Sequence, residues 1–464
     1  MKCPVIELPM EAAVRDMQNL INGDVEHSLA FNRCTTCNVC DFVCPEDALP
    51  YELILESFDD WHGKHGLPFF AKMVFPNETE NIWSGLRVLM NQDEISLLES
   101  WKNRLNEEHE EIVLTGFYTN IVPFLAQLSI LDDMREKIVG SEGLWGCGGD
   151  SNKLGHIELT EQIVELLKNT FSPMGLKRVY CFMEAEAVML NEVLPERYGF
   201  DFNIQFMPLD YLILDRMKQG MIEITNKLNI RATVHDNCMS RYDGGRPQEV
   251  VREIAKLAGC ELLEMEHSRF NGLCCGWAAT IPTLHGKKSD NPLRTLLNLI
   301  SNLYRRLEEA EATGAEVIIS SCPACYIFLS LIAVLSNSEL RVYHPLEIVD
   351  MACGGTVNRK VEQRCWDIMA VTVNILFLWI SSRENRKRFF PKSINTRAVE
   401  SLAPIRDSDS RRIIRAASFF RGVLVQNRYS RAIIRYVLKG VICLFRRFQE
   451  IEKRQISHGH QAKR

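Results

Sequence analysis

Short apolar runs of β character alternate with longer stretches of helical period through the middle of the chain. Ile112–Thr115, Val179–Tyr180, Ala232–Val234 and Val317–Ser320 form the β-rich runs. Between them lie amphipathic segments such as Leu293–Ala312, where Leu296, Leu297, Ile300, Leu303 and Tyr304 fall on one face. Strands alternating with helices predict an α/β fold of parallel βαβ units. The pattern also repeats. EIVLTGFYTN (111–120) parallels IRATVHDNCMS (230–240), and GSEGLWGCGG (140–149) parallels RFNGLCCGWA (269–278). LKRVYCFMEA (176–185) parallels AEVIISSCPACY (315–326), and FMPLDYLI (206–213) parallels VYHPLEIV (342–349). Matched blocks in the same order predict two pseudo-symmetric half-domains, 109–228 and 229–356. Residues 1–108 read as a helical domain whose second part, 61–108, is helical and polar and runs into SWKNRLNEEHEE.

Composition adds little until charge is followed along the chain. The 464 residues are 46% hydrophobic and 25% charged, as in an ordinary folded protein of two or three domains. From Arg359 onward, however, 24 Lys and Arg face 8 Asp and Glu, a net +16, while the remainder carries 30 against 52, a net −22. Residues 357–464 therefore read as a basic helical tail on an acidic body. Its apolar run Ile368–Ile380 is too short to span a bilayer, which takes about 20 residues. Further on, Arg428, Arg431, Arg435, Lys439 and Arg446 recur at helical spacing among Ile433, Ile434, Val437, Leu438, Val441, Ile442 and Phe445. This basic amphipathic helix is expected either at a membrane surface or against the protein's own acidic body or a partner subunit. Nucleic acid is not expected, because the apolar face is rich and no binding module accompanies it.

The 16 cysteines carry the chemistry. MKCPVIELPM at the start holds no apolar leader segment, so the reading is a reducing cytoplasm, with the tail peripheral on the inner face of the cell membrane. Residues 34–45 read CTTCNVCDFVCP, the C-x2-C-x2-C-x3-C-P spacing of a ferredoxin-type [4Fe–4S] cluster. Cys34, Cys37 and Cys40 supply three thiolates. The fourth comes from Cys44, or from Cys3, whose Cys3-Pro4 looks like the surviving end of a second run. Zinc is the alternative metal for such pairs.

A second set comprises Cys238, Cys274-Cys275-Gly276 and Cys322-Pro323-Ala324-Cys325, within VHDNC, LCCG and SSCPAC. Here the sequence resembles the cysteine-rich CCG domain of heterodisulfide reductase and its relatives. The resemblance covers about 109–355, with the ferredoxin-type motif upstream. It implies a pair of Rossmann-like halves and a noncubane [4Fe–4S] cluster held by Cys238, Cys274, Cys275, Cys322 and Cys325, with zinc as the alternative. Two departures stand out. GKKSDNP (286–292) looks like a surface insertion. The first half is degenerate: Phe117 replaces the first cysteine, Gly146-Cys147-Gly148 replaces CCG, and Cys181 is followed by Glu184 in place of a second cysteine. That half is expected to be structural. Cys260, Cys353, Cys365 and Cys443 are expected to be small buried hydrophobes, and His235 a satisfied strand-end histidine.

The functional expectation is an iron–sulfur oxidoreductase subunit. It would pass electrons between the cubane and the CCG-site cluster, to or from a disulfide substrate, a quinone-linked partner or a dehydrogenase. A flavoprotein, a ferredoxin or a membrane cytochrome would be its redox partner. The alternative is a non-catalytic adaptor or assembly subunit with one cluster and a zinc-binding or empty CCG domain. No Walker loop, no G-x-G-x-x-G between strand and helix and no serine nucleophile motif is present, so nucleotide-dependent chemistry is not expected.

Overall fold

The computed structural model describes residues 3, 6, 8–277, 291–357, 360–425 and 428–458. Two four-stranded parallel sheets form its centre. The first contains β1 (Glu111–Leu114), β2 (Ile138–Val139), β3 (Arg178–Cys181) and β4 (Gln205–Pro208), in the order β2-β1-β3-β4. The second contains β5 (Arg231–Val234), β6 (Glu261–Leu262), β7 (Val317–Ile319) and β8 (Arg341–Tyr343), in the order β6-β5-β7-β8. The order is the same in both, so the sequence repeat is a repeat of topology. Register follows suit: Leu114 pairs with Cys181 and Cys181 with Pro208, while Val234 pairs with Ile319 and Ile319 with Tyr343.

Strands this short are stable only when buried on both faces, and the flanking helices bury them. Ile157–Phe171 packs Leu159, Ile163, Val164, Leu167 and Phe171 inward. Arg246–Leu257 does the same with Val250, Val251, Ile254 and Ala255. Pro323–Leu335 is apolar nearly all round and buried along almost its whole length, as such a helix must be. The segment Leu293–Ala312 lies in a helix spanning Pro292–Ala312, started by Pro292 and capped by the Asn291 side chain, which accepts from the Leu293 N–H at 3.0 Å. Of the expected insertion 286–292, residues 286–290 lie outside the described residues.

The N-terminal residues build a small core of their own. Phe31, Tyr51, Ile54, Leu55, Phe58 and Trp61 come together from Leu29–Arg33 and Pro50–His65, and the Phe31 and Phe58 rings meet edge to face at 5.2 Å. This core sits on the first sheet's side of the molecule. Gly155, with φ +69°, lies so close to Pro50–His65 that an added Cβ would come within 2.6 Å of the Leu55 carbonyl. Nearby, Asp59 accepts from the Ile157 N–H at 3.0 Å.

Residues 61–108 depart from the polar expectation. Leu67, Phe69, Phe70, Met73, Val74, Phe75, Trp83 and Leu86 are all buried in the main core. Many of them lie in the 3-10 segment Phe69–Val74, where no helical or strand period exists for a pattern to reveal. The Ile368–Ile380 run also differs from its reading. It belongs to a 22-residue helix, Lys360–Ser381, long and apolar enough by length and composition to cross a membrane. Val361, Cys365, Ile368, Val371 and Ile375 on it are buried in the protein, and Gly85 presses against Val371, so it serves as a core helix. Two further helices, Asp407–Phe419 and Arg428–His458, follow.

Candidate iron–sulfur sites

Cys34 follows directly on the short helix Leu29–Arg33, whose start is fixed by Ser28 and by buried Asp16, which accepts from the Ala30 N–H at 2.8 Å. Thr36 and Asn38 then take left-handed backbone, at φ 49° and 53°, which folds the chain back between successive cysteines. The Thr36 N–H points at Cys34 Sγ at 3.3 Å. Burial pushes the Cys34 thiol well up, and Cys37 and Cys3 beside it push in the same direction. Cys40 is raised likewise by burial and then by Cys34, Asp41, Cys37 and Cys3. Cys3, Cys34, Cys37 and Cys40 are therefore close neighbours. Cys3 Sγ accepts from the Ile6 N–H at 3.3 Å, while Cys44 Sγ, at the loop's exit, accepts from the Ala48 N–H at 3.4 Å.

The second set gathers where parallel strands end and helices begin, the usual place for a ligand in such a fold. Cys238 follows β5, Cys322 follows β7, and Cys325 lies in the first turn of Pro323–Leu335. Thiol contacts run in one chain from Cys238 to Cys274, Cys275, Cys325 and Cys322. All but Cys238 are buried. Contacts from Cys274 and Cys325 hold the Cys275 thiol below its ordinary value. Gly276 takes φ +99°, and a Cβ there would meet Asn302 Cβ at 3.0 Å and the Leu299 carbonyl at 3.2 Å, so glycine is required beside the paired cysteines. Trp277 stacks on Phe328 at 4.2 Å and walls the site.

The two cysteine loops touch. Arg241, 1% exposed, donates from Nη1 to the carbonyls of Cys37 at 3.2 Å and Cys238 at 3.0 Å, and from Nε to that of Phe270 at 2.8 Å. Its Nη2 donates to the Gly272 carbonyl just before the paired cysteines. Phe42, on the first loop, meets Tyr242 edge to face at 4.9 Å and Phe270 at 6.3 Å.

The degenerate half contributes to the intact one. Glu184 accepts from Asn237 Nδ2 at 3.0 Å and from Ser321 Oγ at 3.1 Å, the residues just before Cys238 and Cys322. Burial pushes its carboxyl up to about 7. Lys153 donates from Nζ to Cys238 Sγ at 2.8 Å. Where a second cluster would sit, the space is filled. Glu186 lies against Gly116 and Gly146 and accepts from the Phe117 N–H at 3.2 Å, while the Phe117 ring packs on Trp83 at 3.7 Å. Cys147 and Cys181 are buried nearby. An apolar cavity of about 70 Å³ remains between Phe117, Trp145 and Met183 on one side and Cys238, Cys274 and Cys322 on the other.

Residues 232–330 match the family described as the cysteine-rich domain, CCG. The chain carries a CCG domain. An EtfAB:quinone oxidoreductase of Syntrophomonas wolfei subsp. wolfei is 23% identical over 355 residues, 72% of this chain and 48% of the relative. A component of the dihydromethanophenazine:CoB–CoM heterodisulfide reductase of Methanosarcina mazei is 24% identical over 318 residues, 63% of this chain and 70% of the relative. A protein of Bacillus subtilis named "Probable iron-sulfur-binding oxidoreductase FadF" is 23% identical over 364 residues, 73% of this chain and 48% of the relative. The chain thus matches about half the length of two of these relatives. The CCG domain and these relatives support an iron–sulfur oxidoreductase role of the electron-transfer type.

The CCG-domain residues fit an iron–sulfur group by the chemistry of the donor set: contiguous thiols with N–H donors and a lysine against them. Three contributors escape sequence reading. Arg241, Lys153 and Glu184 are ordinary polar residues whose roles arise only when distant loops meet. Two expectations need correction. Cys443 is exposed, because its face of the Arg428–His458 helix points away from the body, and Cys353 is only partly buried; Cys260 and Cys365 are buried. His235 is not fully satisfied: its Nε2 is buried without a hydrogen-bond partner among the described residues.

Two outcomes follow. Arg241→Met leaves buried carbonyls unpaired, at about 1–3 kcal/mol each, so denaturation of the anaerobically purified protein should show a loss of at least about 3 kcal/mol. A loss under about 1 kcal/mol would mean that the bridge is dispensable. Burial pushes Glu186 up to about 8, from 4.5 when free. Folding then takes up a proton between those values, and this contribution to stability falls as pH rises through the window. Glu186→Gln removes the dependence. The variant should match the parent near the low end and gain on it steadily toward pH about 8.

Proposed function

We propose that this chain is an electron-relay subunit holding a ferredoxin-type [4Fe–4S] cluster on Cys3, Cys34, Cys37 and Cys40. A second, noncubane [4Fe–4S] cluster would rest on Cys238, Cys274, Cys275, Cys322 and Cys325. The observation that carries this reading is the single thiol chain of the CCG domain, tied to the first cysteine loop through Arg241. When bound, such clusters accept and donate single electrons. The chain's own residues bring the two cysteine sets into contact, exclude water with Trp277 and Phe328, and place Lys153 against Cys238. Phe117 and Glu186 in the first half favour relay over chemistry that needs two noncubane clusters. The partner fitting this reading is a redox subunit: a flavoprotein, a ferredoxin or a membrane cytochrome. The domain limits that go with it are 1–108, 109–228, 229–356 and 357–464.

Anaerobic purification with iron, zinc and sulfide counts and EPR tests it. About eight irons per chain is the expected result, with one signal lost in Cys274→Ser/Cys275→Ser. Cys3→Ser should lose the cubane signal and Cys44→Ser should keep it; the reverse would assign Cys44. About four irons with one zinc would move the CCG domain to a structural role and the chain to an adaptor.

We further propose that the relay is held, in the cytoplasm, at an anionic membrane surface. The helix Arg428–His458 docks on the body through Ile442, 2% exposed, and through Arg446, which pairs with Glu308 at 2.9 Å. Its other face presents Tyr429, Ile433, Tyr436, Leu444 and Ile451 to solvent. Eight Lys and Arg against two Glu on this helix set it against a like-charged second copy and for an anionic lipid. The full chain should sediment with phosphatidylglycerol vesicles, and less so as salt rises. Tyr436→Glu/Leu444→Glu should abolish this with iron content unchanged. A parent protein that stays in the supernatant, or a salt-resistant dimer in place of vesicle binding, would defeat the proposal.

A further inference from the structure

His235 stands just past β5, 1% exposed, and Arg306 reaches it from the helix Pro292–Ala312, 0% exposed. Arg306 Nε lies 3.0 Å from His235 Nδ1. A guanidinium offers donors only, so Nδ1 must be the acceptor. The ring proton then sits on Nε2; a doubly protonated ring would set one N–H against another. Arg306 cannot swing away, because Nη1 donates to the His267 carbonyl at 2.7 Å and to Glu309 at 2.8 Å.

Two donors remain unused. His235 Nε2 and Arg306 Nη2 are buried and have no hydrogen-bond partner among the described residues. Buried donors of this kind cost about 1–3 kcal/mol each when unmet, so they normally face an acceptor. Sulfur lies close to the imidazole ring. A ring nitrogen of His235 and the Sγ atoms of Cys275 and Cys325 are all within 4.8 Å of one another. With Nδ1 engaged by Arg306, Nε2 is the ring nitrogen still able to donate on this side of the cysteines.

We infer that His235, fixed as its Nε2–H tautomer by Arg306, is a hydrogen-bond donor to the sulfur held at Cys275 and Cys325, and not a metal ligand. The inference rests on the proposed iron–sulfur occupancy of the CCG site. Ligation by His235 would need a bare lone pair on Nε2, hence a proton on Nδ1, hence a broken contact with Arg306. As a donor, His235 acts on the redox potential: hydrogen bonds to cluster sulfur favour the more negative, reduced state. It is a positioning residue, and holding metal falls to the cysteines.

The test uses the full chain, purified anaerobically. Iron and sulfide counts on the parent protein come first, and absence of a second cluster overturns the occupancy on which the inference rests. With the cluster present, pulsed EPR on ¹⁵N-histidine protein in H₂O and D₂O should show a weak nitrogen coupling and an exchangeable deuteron near the CCG-site signal. These are read without mutation, so they do not depend on a variant folding. His235→Phe should keep its iron and sulfide, lose the deuteron coupling and titrate at a lower midpoint potential. His235→Gln, which restores an N–H, should recover part of the shift. A strong, directly bonded nitrogen coupling, or loss of CCG-site iron in His235→Phe with the ferredoxin-type signal intact, would make His235 a ligand and overturn the inference. An unchanged potential in His235→Phe would overturn it equally.

Discussion

Arg241 makes all of its hydrogen bonds among the described residues to backbone carbonyls, and those carbonyls come from separate cysteine loops. A buried guanidinium must have its donors met, since an unpaired charge in the interior is far costlier than a lost hydrogen bond. The loop carrying Cys37, the turn carrying Cys238 and the approach to Cys274 therefore cannot separate without stranding the charge. The loops hold only short helical turns, Val39–Phe42 and Arg269–Asn271, so one side chain does the joining that a ladder of hydrogen bonds would do elsewhere. Phe42 against Tyr242 and Phe270 adds the apolar part of the same contact. The rest of the molecule supplies what surrounds this joint: two sheets whose strand ends aim the cysteines at it, and helices that keep water out.

The half without a full cysteine set is better understood as the second wall of the CCG site than as a relic. Where the other half has cysteines, Phe117 and Glu186 fill the space, with Gly116 and Gly146 making room for them. A nearby carboxylate, Glu184, reaches the residues before Cys238 and Cys322, which sets both ligand turns from one point. Lys153 brings a positive charge to Cys238. Two related halves thus came to hold different jobs: one carries thiols, the other carries the polar and apolar groups that position them.

Much of this is legible in the sequence where chemistry is local. Cysteine spacing is set by turns of a few residues, so CTTCNVCDFVCP and CCG can be read directly, and the repeated strand blocks foretell two parallel sheets because β1 and β5 begin matching motifs. What escapes is non-local. The buried run around Phe69–Val74 has no period, since its side chains fill gaps and do not line a face. Arg241 looks like any surface arginine until Cys37, 204 residues away, arrives beside it. His235 reads as satisfied because its neighbours on the strand are unremarkable; the group that fixes its tautomer comes from a helix 71 residues on. Of the tail's competing readings, docking on the acidic body is the one the contacts bear on: Ile442 and Arg446 meet the body, while Tyr436 and Leu444 are exposed.

Charge sets a last constraint on the CCG site. Burial works against negative charge on three nearby carboxyls: it pushes Glu184 up to about 7 and Glu186 up to about 8, and raises Asp210 as well. Positive charge is rationed too, with Lys153 at the Cys238 end and Arg306 near Cys325. Ionising all five thiols of the contact chain against Lys153, Arg306 and the nearby Arg241 would still leave a surplus of buried negative charge. Left as neutral thiols, they would instead bury weak donors and acceptors that hold little together. A multivalent metal group resolves both problems at once, since it favours the thiolate form and ties the strand ends to each other. The joint at Arg241 packs the first cysteine loop directly against the turn that carries Cys238, so the two cysteine sets share one buried contact.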